Sequence, residues 1–178
     1  MDIRTALQSR TMTDAVPSIR AIVDADCEDV ARIYNHYIRD TIVTFEEDAV
    51  TSDVMRARVR EVAARGFPWL VAERAGHVLG YAYATPWKQR SAYRFSVEST
   101  VYLAADSTGQ RLGSLLYAEL IRLLQQSEVH AVVGGISLPN AASVALHEKL
   151  GFRKVGHFRE VGRKFDRWID VGYWQLTL

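Results

Sequence analysis

The stretch from Phe95 to Gly113, FSVESTVYLAADSTGQRLG, restricts the fold of this chain more than any other. Its first half alternates β-branched and polar residues, the pattern of a half-buried strand. Its second half is a short polar loop with glycines, and Leu112, Leu115, Leu116, Leu120 and Leu123 then recur at helical spacing. Strand, loop and helix start, in that order, present free N–H groups and the positive end of a helix dipole, a setting that favours phosphate. An ordinary turn capped by Ser107 or Thr108 would also fit the loop. Glu98 stands inside the strand, where carboxylates are depleted. Alternation puts Glu98, Thr100 and Tyr102 on one face and Val97, Ser99 and Val101 on the other. A carboxylate drawn partly out of water is a better base near neutrality. A structural ion pair with Arg90 or Arg94 is the plainer reading.

The flanking segments supply strands and helices around that centre. Residues 1–17 read as a loosely held tail, and 18–178 as one domain. Ser18 to Val23 is a first strand, and Asp24 or Asp26 can cap the helix after it. In that helix Val30, Ile33, Tyr34 and Tyr37 share an apolar face. After Asp40 comes a part-extended segment around Phe45 and Glu46, then a charged helix capped by Ser52 and stopped by Gly66. Trp69 to Glu73 and Val78 to Thr85 form a hairpin about Ala75-Gly76-His77. His130 to Ser137 is an apolar strand, and Asn140 begins a short helix that Gly151 ends. Phe152 to Phe158 and Trp168 to Leu178 complete the strands. The sum is an α+β fold: a mostly antiparallel, twisted sheet of six to seven strands with about four helices.

Charge and cysteine content exclude several function classes. With a formal net charge of +1 on 178 residues, nothing favours nucleic acid or an anionic membrane. No apolar run approaches the ~20 residues of a membrane-spanning helix. Cys27 is the single cysteine, so no internal disulfide forms, which fits a reducing, cytoplasmic setting. Its helix face reads as core. The five histidines show no metal-ligand spacing with acidic or cysteine partners, so no metal is expected. Lys88, Arg90 and Arg94, interleaved with Trp87 and Tyr93, form a basic loop. A solvated loop is one reading; a bidentate clamp by Arg90 on a small carboxylate or phosphinate is the functional one.

The segment NAASVALHEKLGF, Asn140 to Phe152, preceded by a strand and by the loop–helix unit, resembles the end of the acetyl-CoA-binding core of the GCN5-related N-acetyltransferases. PWKQRSAY, VESTVYL, LGSLLY, SLPNAASVALHEKLGF and WIDVGYWQL together resemble the phosphinothricin and L-amino-acid N-acetyltransferase branch, with FPWLVAE, GYAYA and IYNHYI extending the likeness over roughly residues 18–178. The resemblance implies an acetyl-CoA-dependent enzyme that acetylates the α-amine of phosphinothricin, methionine sulfoximine, methionine sulfone or a related L-amino acid. Glu98 would be the base. His147 stands where the wider superfamily often has a tyrosine that protonates the leaving thiolate, and this branch has histidine. Backbone groups of Thr100, Val101 and Tyr102 would hold pantetheine and the thioester; Thr108, Gly109, Gln110, Arg111, Leu112 and Gly113 would hold the pyrophosphate; Asn140 and Ser143 would touch the cofactor. Phe45, Lys88, Arg90 and Tyr93 would take the substrate. The phosphate loop departs from the family pattern at Thr108 and Arg111, and a positive φ at Arg111 would carry strain that glycine avoids. The apolar last strand, with Tyr173, Trp174, Leu176 and Leu178, suggests a homodimer. A peptide-terminus acetyltransferase and a non-catalytic acyl-CoA-binding module are the alternatives. The basic loop argues against the first, and the presence of Glu98 and His147 argues against the second.

Overall fold

The computed structural model describes residues 16–178. The expected tail, apart from Val16 and Pro17, lies outside the described residues. The elements in chain order are β1 (Ser18–Ala21), α1 (Cys27–Asp40), α2 (Ser52–Ala64), β2 (Trp69–Arg74), β3 (His77–Pro86), β4 (Ser96–Leu103), α3 (Leu112–Leu124), β5 (Ala131–Leu138), α4 (Ala141–Lys149), β6 (Arg153–Lys164) and β7 (Arg167–Thr177). One seven-stranded sheet runs β1-β2-β3-β4-β5-β7-β6. Every neighbouring pair is antiparallel except β4 and β5, which are parallel. A parallel pair needs a crossover connection, and α3 supplies it.

Helices cover both faces of the sheet. On one, α1 and α2 bury Val30, Ile33, Tyr34 and Met55 against Val71, Tyr81 and Tyr102. On the other, α3 buries Leu112, Leu116, Tyr117 and Leu120 against Val97, Val132 and Trp174. Each fully buried leucine contributes roughly 1.5–3 kcal/mol over leaving it exposed. Leu115, expected on the apolar stripe, points to solvent at 51 % exposure, and Tyr117 and Leu124 are buried instead. Cys27 is buried and free, a core residue as read.

Two caps differ from expectation. Thr51, not Ser52, caps α2, its hydroxyl accepting from the Val54 amide at 3.2 Å. Asp26 precedes α1 without capping it. Its carboxylate accepts instead from both terminal nitrogens of Arg20, at 2.7 and 2.8 Å, and from the Val23 amide at 2.8 Å. A bidentate arginine with a backbone amide outcompetes a single cap bond. β6 is also longer than its apolar span suggested: its polar second half pairs with Arg167 to Ile169. The dimer rationale fails on packing. Trp174 is 2 % exposed, Leu176 and Leu178 pack on the α3 core, and β7 lies inside the sheet.

A buried polar chain joins β4, α3 and α4. Ser99 Oγ lies 2.5 Å from the Tyr117 hydroxyl, which lies 2.9 Å from Nε2 of His147. Nδ1 of His147 meets the Ser143 carbonyl at 2.7 Å. All three side chains are at most 5 % exposed. Tyr117→Phe removes the central hydroxyl and strands the buried Nε2 acceptor of His147, Ser99 Oγ keeping the Val133 carbonyl at 3.3 Å, which costs about 1–3 kcal/mol. Urea unfolding should show a lower midpoint with an unchanged slope; an unshifted midpoint would show that the chain carries no stability.

Candidate active site

The site begins where β4 and β5 separate. The two strands pair only from Ser96/Ala131 to Glu98/Val133, yet β4 runs on to Leu103 and β5 to Leu138. Backbone phase decides which groups line the gap. Trp87 donates to Ser96 and Ala104 to Leu79, so the even residues of β4 bond β3 and the odd ones face β5. Thr100 and Tyr102 therefore spend their amides on β3. Leu103 is satisfied by Tyr37, whose hydroxyl donates to its carbonyl at 2.7 Å and accepts from its amide at 3.3 Å. Val101 is left with N–H and C=O turned into the opening. On the far side, Leu178 donates to His130, so the odd residues of β5, Gly135 and Ser137, turn their backbones toward β4. Of the three β4 residues expected to hold the thioester arm, Val101 has the free backbone.

The opening is a cleft of about 380 Å³ that passes through the sheet. Val43, Thr44, Phe45, Glu98 and Tyr173 line it on the α1/α2 face, and Ser143 and His147 on the α3/α4 face. Cross-strand partners share a face, so Glu98 lies with Thr85 and in line with Tyr83–Thr100 and Tyr81–Tyr102. Burial pushes the Glu98 carboxyl above its ordinary 4.5, and the charge of Lys88 partly offsets the rise. The ion pair with Arg90 or Arg94 is absent: among the described residues Glu98 forms no salt bridge, and Arg94 stacks over Phe95 at 4.1 Å.

Two glycines missed in the sequence make room for these groups. A Cβ on Gly134 would collide with the His147 ring, and one on Gly135 would stand 3.2 Å from Glu98 Oε1. Adjacent glycines inside an apolar strand are the signal that could have found them. Burial favours the neutral form of the His147 ring. Burial lowers its pKa below 6.5, against a smaller rise from the Ser143 carbonyl. A carbonyl only accepts, so Nδ1 carries the proton and Nε2 accepts from the Tyr117 hydroxyl. With Nδ1–H committed and Nε2 unprotonated, the ring has no free proton for a leaving thiolate.

The remaining expected residues divide. Phe45 lines the cleft. Lys88 lines a neighbouring cavity of about 450 Å³ with Trp69, Tyr83 and Trp87, its ammonium 4.4 Å from the Trp87 ring centre. Arg90 and Tyr93 are exposed and line neither cavity, and the Arg90 guanidinium has no partner among the described residues. Asn140 lines the cleft and caps α4, accepting from the Ser143 amide at 3.1 Å.

The loop before α3 has the backbone of an anion cradle. Gly109 has φ +76° and Arg111 φ +63°, and Arg111 precedes the helix with no side-chain cap. The first-turn amides of α3 therefore keep their donors free. Thr108 turns its hydroxyl inward to the Ala105 carbonyl at 3.2 Å, and Gln110 reaches the Asp106 carbonyl at 3.3 Å. Arg111 occupies the left-handed region, at a cost of roughly 1–2 kcal/mol for a residue with a Cβ. Leu112 is core, and a Cβ on Gly113 would meet Leu103 and Leu146 at 3.6 and 3.5 Å. Gly113 thus faces β4 and α4, so a larger side chain there would press on the core and not on a bound phosphate.

Among the described residues no cluster of metal-ligating side chains occurs and no helix is long and apolar enough to cross a membrane. Residues 19–172 match the acetyltransferase (GNAT) domain model. A phosphinothricin N-acetyltransferase of Streptomyces viridochromogenes is 43 % identical, over 88 % of this chain and 85 % of its own. An L-methionine sulfoximine/L-methionine sulfone acetyltransferase of Salmonella typhimurium is 36 % identical, over 90 % and 94 %. The crystal structure of a phosphinothricin acetyltransferase from Sinorhizobium meliloti in complex with acetyl-CoA superposes with a TM-score of 0.88 at 32 % identity, covering 91 % of this chain and 88 % of that one. A ribosomal-protein-alanine N-acetyltransferase from Brucella melitensis superposes at 0.89 with 37 % identity, covering 90 % and 99 %. With the family model spanning nearly all of the described sheet, and relatives of matching length on both counts, the chain belongs to the GNAT acetyltransferases.

Proposed function

We propose that this chain moves the acetyl group of acetyl-CoA to the α-amine of a small amino acid of the kind its relatives are named for: phosphinothricin, methionine sulfoximine or methionine sulfone. The observation that carries the reading is Glu98, a half-buried carboxylate without a bonded partner among the described residues, beside the strand gap and facing the α1/α2 side. Acetyl-CoA supplies the activated acyl group. The cradle at Gly109 to Gly113 fits its pyrophosphate, and the Val101 N–H fits the thioester carbonyl as an oxyanion donor does. The substrate amine arrives as ammonium, without a lone pair. Glu98 takes its proton, directly or through water; the amine attacks the carbonyl, the C–N bond forms and the C–S bond breaks, and coenzyme A leaves as a thiolate that takes up, through solvent, the second proton lost by the nitrogen. His147 positions: it holds Tyr117, and through it Ser99 on β4, so that the gap stays open.

Lys88 and Arg90 supply the charge that an amino-acid acceptor requires. Lys88 acts on Glu98 already, and Arg90, two residues on, has a planar fork with no partner among the described residues. An acid group buried without such a partner would cost several kcal/mol. The similarity to a ribosomal-protein-alanine acetyltransferase favours a peptide amine as the second reading. Release of coenzyme A thiol, followed over a panel of amino acids, simple alkylamines and an alanyl peptide, separates the two. Amino acids should be the good substrates. Arg90→Lys should raise their KM by roughly tenfold, ~1.4 kcal/mol, with the acetyl-CoA KM within about twofold. Peptide or plain-amine preference, or an unmoved amino-acid KM, would transfer the assignment to the second reading.

Glu98→Gln keeps shape and loses proton affinity. Its kcat/KM should fall by roughly 10²–10⁴ near neutral pH, with acetyl-CoA binding retained. In the wild type the acid limb of kcat/KM should lie above 4.5, because the base must be ionised and burial raises its pKa. A limb at the ordinary carboxylate value, or a fully active Gln variant, would assign the base elsewhere.

A cytoplasmic homodimer completes the proposal. Val155, Phe158, Val161, Phe165 and Trp168 are each 49 to 61 % exposed on the β6–β7 hairpin, and β6 is an open sheet edge. Light scattering should give twice the chain mass of 20.1 kDa, and Trp168→Glu should reduce it to one chain. A monomeric wild type would remove the dimer.

A further inference from the structure

One buried cation lies outside the machinery described so far. Lys164 closes β6, a strand that is otherwise almost wholly solvent-facing, yet it is 2 % exposed. At a hairpin end a lysine can extend its ammonium into water at little cost. Burying it without an anion costs several kcal/mol. Among the described residues no carboxylate comes within ion-pair distance. Its Nζ donates to the Thr44 carbonyl at 2.8 Å and the Tyr37 carbonyl at 3.4 Å. Tyr37 belongs to the last turn of α1, the negative end of that helix, where a cation is favoured.

The Thr44 carbonyl belongs to the irregular stretch between α1 and α2. That stretch lines the cleft with Val43, Thr44 and Phe45. Toward the helices it is tied repeatedly: Thr44 Oγ1 to the Tyr34 hydroxyl at 2.8 Å, Glu46 to both Arg58 nitrogens at 2.8 and 2.9 Å, and Val50 to Asn35. Across the cleft it has two polar ties, a long one from Ser137 Oγ to the Val43 carbonyl at 3.4 Å and the one from Lys164. Gly162 stands two residues before Lys164, on the same face of β6. The Phe45 ring lies so close over Gly162 that a Cβ there would collide with it. Consecutive residues of the stretch thus meet consecutive same-face positions of β6: Thr44 is bonded by Lys164, and Phe45 rests on Gly162.

We propose that Lys164 is a positioning residue of the acceptor site, its buried ammonium drawing the Val43–Glu46 stretch across to β6 so that Phe45, seated on Gly162, forms a fixed wall of the cleft on the Glu98 side. The inference rests on the acetyltransferase reading above and extends it to acceptor binding. Among the described residues no hydrogen bond joins the acetyl-CoA cradle at Gly109 to Gly113 to this clamp.

Lys164→Met keeps the length and apolar stem and removes the donor. Its acceptor KM should rise by roughly tenfold, the scale of a misplaced binding wall, while the acetyl-CoA KM and the acid limb of kcat/KM stay put. Gly162→Ala leaves Lys164 intact and displaces the ring, so it should give the same split. Adding Phe45→Ala to either variant should raise the acceptor KM little further, because the wall is already lost. A folded Lys164→Met enzyme with an unchanged acceptor KM overturns the proposal, as does an equal rise in both KM values or full additivity with Phe45→Ala. Should Lys164→Met fail to fold, Gly162→Ala alone and with Phe45→Ala decides by the same criteria. Failure of the substrate reading is seen separately, in the wild type: if only the alanyl peptide is acetylated, the variants are read with that peptide as acceptor.

Discussion

The parting of β4 from β5 after Glu98 and Val133 is the constraint on which the molecule depends. A sheet normally satisfies its backbone by pairing, and an unpaired group buried from water is costly. Here some of the backbone along the parting is satisfied from elsewhere. Tyr37 serves both polar atoms of Leu103, and β3 serves Thr100 and Tyr102. Val101 remains with a free donor and acceptor, facing the backbones of Gly135 and Ser137. The sheet thus concentrates its unmet hydrogen bonding at one point, where an extended amide-bearing chain can lie between two strands.

Polar groups flank the parting on both faces. On the α3/α4 side, Ser99, Tyr117 and His147 form a buried chain, and the His147 ring occupies the space left by Gly134. On the α1/α2 side, Glu98 and Tyr173 occupy the space beside Gly135. The period of two in a strand accounts for the division. Adjacent residues 98 and 99 send a carboxylate to one face and a hydroxyl to the other, and adjacent glycines 135 and 134 make room for Glu98 on the first face and for the His147 ring on the second. Donor and acceptor can then approach the same gap from opposite sides of one sheet.

Local periodicity made most of this architecture legible in the sequence. The strand–loop–helix order around Glu98, the face of α1 and the cap at Asn140 follow from spacing within one element, and the structure has all three. The errors came where a long-range partner competed with a local one. Asp26 could cap a helix or pair with Arg20, and arginine offers two charged bonds. Trp174, Leu176 and Leu178 read as a sticky terminal strand until β6 covers β7 on one side and β5 on the other. Lys164 lies between the last two strands expected from the sequence and drew no reading there, because its acceptors lie 120 and 127 residues away. The Arg90 clamp rested on the basic loop's composition and on resemblance, and no pattern along the chain indicates which way an exposed loop side chain points.

The two titratable groups at the gap are shifted in opposite senses, and both shifts favour the neutral form. Burial raises Glu98 above 4.5 and lowers His147 below 6.5. Their effects on stability therefore oppose each other. The raised carboxyl means the folded state holds the Glu98 proton more tightly, so that contribution is complete below about 4.5 and is lost as pH rises through the folded value. The lowered imidazole means the unfolded chain holds the His147 proton more tightly. That contribution is complete above 6.5 and is lost as pH falls through the folded value. Burial thus works against charge on both sides of the gap, at the partly desolvated Glu98 carboxyl and at the hydrogen-bonded His147 ring. The two faces of one sheet thus set a carboxyl with no bonded partner among the described residues against a ring whose two nitrogens are both hydrogen-bonded.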